Sequence, residues 1–142
     1  MLKHFSIPKT VILFIVPYII LYAIYIQLNG EVSPGGGFQA GVIFATGIIA
    51  FDLINGSKKT HQFFSEKILT ICGVFGVLIY ASTGLVSLLF DDNFLDYNSI
   101  AKTPFTNDPL VGQHIGIFFI EIGVGLTVAS IMCLIYLVLR ED

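Results

Sequence analysis

Residues 113–139 read QHIGIFFIEIGVGLTVASIMCLIYLVL, and this run decides the fold. Crossing the hydrocarbon of a bilayer takes roughly 20 residues of helix. The run exceeds that length with one carboxylate, Glu121, and one imidazole, His114. It shows no period-2 alternation and is too long for a barrel strand, so it reads as a membrane helix.

Three more runs of the same kind lie upstream, at about 10–28, 38–54 and 68–90. With 113–139 they predict an all-α, polytopic membrane protein of four transmembrane helices, with 1–142 as a single membrane domain. Composition excludes a soluble domain of this size: 55% of the 142 residues are hydrophobic and 12% charged, too few charges to cover a globular surface. The N-terminal run has no small-residue cleavage site after it, and later runs repeat its character, so it is expected to be a span and secretory processing does not rescue a soluble reading. The net charge of −3 gives no reason to expect nucleic acid. Cys72 and Cys133 lack both metal-ligand spacing and a disulfide framework. There is no Ser/His/Asp set, no HExxH and no cysteine cluster, so neither catalysis nor a cofactor is expected.

Lys3, Lys9, Lys58, Lys59, Lys67 and Arg140 fall on one side of a four-span chain, and Lys102 alone on the other. The positive-inside rule then places both termini in the cytoplasm of a plasma (inner) membrane. The connection at 29–37 and the acidic connection at 91–112, with Asp91, Asp92, Asp96 and Asp108, face outward. Pro104 and Pro109 are expected to break helix there. In lipid, small residues mark helix contacts. Gly37, Gly41 and Ala45 form such a ridge, continued by Ile48 and Asp52. Gly73, Gly76, Tyr80, Gly84 and Ser87 form another, and Gly116, Gly123, Thr127 and Ser130 a third. These seams fit either internal packing or partner subunits.

Ionisable groups at membrane depth are costly, roughly 2.5–3.5 kcal/mol on insertion scales, and generally face a bundle interior. Glu121 lies eight residues, about 12 Å, inside a helix that starts near Gln113, with no charged neighbour in sequence. A carboxyl held there suits alternate uptake and release of a proton or cation. The bland alternative is a structural hydrogen bond to another helix. His114 shares its face at roughly 10 Å, so a water or one side chain could bridge the two. With Gly125 as an open spot one turn beyond, the three would make a half-channel; an interfacial His is the simpler reading. Asp52, near the end of its span, either reaches the interface or serves the interior. Pro17 interrupts the first span, and Tyr18, Tyr22 and Tyr25 follow as an aromatic face toward the interface or as a stack beside a polar path.

Ser33-Pro34-Gly35-Gly36-Gly37-Phe38 cannot continue a helix. A phosphate loop is excluded because no Lys or Arg lies within about twenty residues on either side, and no strand precedes it. A tight turn that admits a neighbouring backbone, water or ion fits better.

Two stretches together resemble a known family. Asn29-Gly30-Glu31-Val32-Ser33-Pro34-Gly35-Gly36-Gly37-Phe38-Gln39-Ala40-Gly41 is similar to the PGGGF signature of the MnhB component of Mrp-type (Mnh) multisubunit Na+/H+ antiporters, and Glu121-Ile122-Gly123-Val124-Gly125-Leu126-Thr127-Val128 to that family's fourth-helix segment. The resemblance implies a small subunit that helps assemble a hetero-oligomeric complex with other membrane subunits, exchanging Na+ for H+ across the lipid bilayer. It implies Pro34, Gly35, Gly36, Gly37, Phe38 and Glu121 as the functional positions. Similar small subunits occur in membrane-bound hydrogenase-type redox complexes, and a purely structural scaffold is a further alternative.

Overall fold

The structure is a computed structural model that describes residues 6–31, 35–55, 64–89, 93–98 and 109–141. Among the described residues there are four helices: α1 (Ser6–Leu28), α2 (Gly36–Asn55), α3 (Glu66–Leu89) and α4 (Pro109–Glu141). All four are long and apolar enough to cross a membrane. Each begins before the run read from sequence, and α4 exceeds its run most, while α3 is described to Leu89. Pro109 opens α4, because the first helical position needs no amide donor, and Pro104 lies outside the described residues. Ser65 caps α3, its Oγ accepting from Ile68 N at 3.4 Å. Asn29 closes α1, donating Nδ2–H to Tyr25 O at 2.8 Å. α1 runs unbroken through Pro17.

Packing order is α1–α2–α4–α3, an open row rather than a closed bundle. Among the described residues α3 makes no close backbone approach to α1 or α2, and α1 only brushes α4. α4 is the shared wall. Its Gly123, Thr127 and Ser130 meet α3, while Glu121, Gly125 and Val128 meet α2. The two rows are offset by two residues, about 200° around a helix, so they lie on opposite faces. A Cβ on Gly41 would come 2.6 Å from Gly125 O, and one on Gly76 2.7 Å from Gly123 O. The glycine seams, which in sequence fitted internal packing or partner subunits equally, are therefore filled largely by the chain's own helices. Thr127 crosses one of them, its Oγ1 donating to Gly123 O at 2.8 Å and reaching Gly73 O at 3.5 Å.

α2 and α4 run parallel, with α1 and α3 antiparallel to them, so the start of α1 and the end of α4 share one end of the molecule. At that end Ala45, Ile48, Leu69, Cys133 and Leu137 form an apolar core, to which α3 contributes Leu69. α4, with 33 residues, is about 50 Å long and exceeds the hydrocarbon thickness. Its first turns rise beyond the α1–α2 hairpin beside the 93–98 segment. That segment is fastened by Ser87 Oγ donating to Asp96 O at 3.0 Å and by Gln113 Nε2 donating to Asn98 Oδ1 at 2.8 Å.

Candidate functional site at the glycine turn

The turn between α1 and α2 is glycine by geometry. Gly35 has φ 142° and Gly36 φ 45°, regions that side chains disfavour. Pro34 lies outside the described residues. Glu121 sits against this turn. A Cβ on Gly36 would stand 2.8 Å from Glu121 Oε1, one on Gly30 would overlap the carboxyl group, and one on Gly37 would overlap the Glu121 carbonyl oxygen. Three glycines thus form a shelf on which the carboxyl and its backbone rest. The first amides of α2, which have no partner within the helix, lie on that shelf.

Glu121 is half-buried and level with the turn. It lies twelve residues, about 18 Å, from the start of α4, but the α1–α2 hairpin ends at its height. Its distance down the helix therefore measures the projection of α4 past that hairpin, and the carboxyl is reached from the turn.

His114 and Glu121 do share a side of α4, and the group between them was not legible in sequence. Glu31, in the turn, accepts His114 Nδ1 at 2.6 Å, and its chain neighbour Gly30 packs on the Glu121 carboxyl. The His114 side chain is 66% exposed and that of Glu31 29%. Gly125 is not an open spot. Gln27 of α1 fills the space in front of it, with its Nε2 buried and unpartnered. Gln27 also lines a cleft of about 260 Å³ between α1, α2 and α4, with Ala23, Ala40, Gly41, Gly125 and Ala129.

Asp52 belongs to a different place, fifteen residues along α2 from Gly37, or about 22 Å. It does not reach solvent; it is 2% exposed. Its Oδ2 accepts from Tyr136 Oη at 2.8 Å and is ion-paired with Arg140, whose guanidinium also lies over the Tyr136 ring. Arg140, counted in the sequence only as a topological charge, closes the α2–α4 seam. Phe38 is 63% exposed, and Tyr18, Tyr22 and Tyr25 lie on the outer face of α1. Tyr22 and Tyr25 stack with ring centroids 6.4 Å apart.

Neither Glu31 nor Gln27 carried a sequence signal beyond being polar beside a membrane run. A family model for a domain related to the MnhB subunit of Na+/H+ antiporter matches residues 7–134. The chain belongs to the MnhB family. Its relatives include a "Putative antiporter subunit mnhB2" of Staphylococcus haemolyticus, 31% identical over 137 residues, covering 92% of this chain and 91% of that protein. The B component of the Na(+)/H(+) antiporter of Alkalihalophilus pseudofirmus is 30% identical over 124 residues, 80% of this chain and 83% of that one. That of Bacillus subtilis is 25% identical over 117 residues, 78% and 80%. The match spans both the glycine turn and the Glu121 segment.

Proposed function

We propose that this MnhB-family chain is the small B-type membrane component of a multisubunit antiporter that moves Na+ out of the cytoplasm and H+ in, and that Glu121 lines the ion path. The observation that carries the path is the half-buried carboxyl on a glycine shelf, reachable from the turn. Lys9 and Lys67 begin α1 and α3, and Arg140 ends α4, all at one end. The positive-inside rule puts that end in the cytoplasm of the plasma membrane and the Glu121 shelf outside. His114 forms the outer approach. Asp52, neutralised by Arg140 at the cytoplasmic end, pins α2 to α4 and joins the path only if that pair opens. The exposed apolar faces of the row contact lipid and the other membrane subunits.

The test is Glu121→Gln and Glu121→Ala in the assembled complex. Loss of Na+-driven H+ movement in everted vesicles, with the complex still present, is expected. Unchanged transport at normal assembly leaves a scaffold role. The purified chain in liposomes is expected to exchange nothing above empty vesicles, because it contributes one side of a path.

A further inference from the structure

Between an exposed imidazole and a half-buried carboxyl two turns away on the same helix there is a gap of roughly 10 Å, too long for direct proton transfer. Glu31 occupies that gap. One of its oxygens is 2.6 Å from His114 Nδ1. Its chain neighbour Gly30 packs on the Glu121 carboxyl. Exposure falls along the series, from a His114 side chain 66% exposed, through Glu31 at 29%, to the half-buried Glu121 and the buried Nε2 of Gln27. We propose that Glu31 is the relay group that passes protons between exposed His114 and half-buried Glu121. This rests on the reading that Glu121 lines the path.

The step balances without a further reactant. A proton from water binds the exposed imidazole, and the Nδ1 proton passes along the existing hydrogen bond to the Glu31 carboxylate. Neutral Glu31 then gives its proton to the Glu121 carboxylate and returns to its starting charge. The reverse order releases a proton outward. Few other groups face this series among the described residues. α1 offers uncharged Gln27, and α2 offers the backbone of Gly36 and Gly37. Tyr80 and Tyr97 belong to the opposite side of α4, at Gly123 and Gly116. Among the described residues Glu31 is the titratable side chain placed to join the two.

The experiment measures Na+-driven H+ movement across a range of pH in everted vesicles carrying the whole complex, with Glu31→Gln, Glu31→Asp and Glu121→Gln side by side. Glu31→Gln is expected to lower the maximal rate by about tenfold or more, below the ~10²-fold of positioned proton transfer because water can replace part of the path. The Na+ concentration for half-maximal rate should stay unchanged, the pH profile should change shape, and Glu31→Asp should recover much of the rate. Wild-type rate and pH profile in Glu31→Gln, alongside loss in Glu121→Gln, overturn the relay and leave the path standing. Wild-type rates in Glu121→Gln overturn the path and the relay together. Loss of the complex from the membrane in both Glu31 variants overturns the relay in favour of a packing role.

Discussion

Gly37 lies face to face with the main chain of Glu121, so that a methyl group on Gly37 would run into the Glu121 carbonyl oxygen. The contact joins the first turn of α2 to the middle of α4 and sets the height at which the Glu121 carboxyl meets the α1–α2 turn. Gly37→Ala must therefore part the two helices. The expected loss is about 1–3 kcal/mol, the usual cost of overpacking, read as a lower midpoint of detergent-induced unfolding, together with lower transport.

Glycines that look alike in sequence should respond oppositely along the α3–α4 seam. Gly76→Ala would press a Cβ to 2.7 Å from Gly123 O, whereas a Cβ on Gly73 meets nothing nearer than 3.5 Å. Gly76→Ala is expected to destabilise by about 1–3 kcal/mol. Gly73→Ala should be neutral or stabilising by up to about 1 kcal/mol, through helix propensity. Thermal unfolding in mild detergent separates them, and equal effects would show that the seam is looser than described.

Arg140→Ala leaves Asp52, 2% exposed, as a buried charge with only the Tyr136 hydroxyl as partner. A cost toward the lower end of about 3–5 kcal/mol is expected, because the Arg140 side chain is itself 30% exposed. Adding Asp52→Asn to Arg140→Ala should recover most of it. A double-mutant cycle on unfolding midpoints checks this, and simple additivity would mean the pair contributes nothing.

Phe38 lies on the outer surface of the chain, so Phe38→Ala is expected to leave its folding nearly unchanged while lowering transport by the assembled complex. Equal loss of complex and of transport would instead make Phe38 a packing residue against a neighbouring subunit.

Tyr97, in the connection before α4, packs its ring on Gly116, where a Cβ would come 2.6 Å from Cγ. Burial first, and Tyr80 second, push its phenol above the ordinary value of 10.0. Above that value the unfolded chain loses this proton while the folded chain keeps it, so stability falls as pH rises further. Unfolding midpoints should decline on the alkaline side of 10.0, and less steeply in Tyr97→Phe.

Much of the molecule was legible in the sequence because lipid imposes it. Unbroken apolar runs must satisfy their own backbone hydrogen bonds, which makes them helices, and length alone makes them spans. The glycine run ruled out an unbroken helix between the first two spans, although Gly36, Gly37 and Phe38, read as part of that turn, already belong to α2, and Glu121 stood out as an acid among apolar neighbours. The small-residue ridges were visible too, but not their destinations: the same ridge serves another helix of the chain or a separate chain equally well.

What only the tertiary structure decided is which groups meet. Apolar periodicity cannot order helices in a solvent as apolar as their own side chains, so the α1–α2–α4–α3 row depends on backbone fit between glycines such as Gly41 and Gly125. Glu31 meets His114 across 83 residues and Tyr136 meets Asp52 across 84. No local pattern encodes such pairs: close packing of the helices brings the distant polar groups together, and at buried Asp52 the scarcity of water makes a partner necessary.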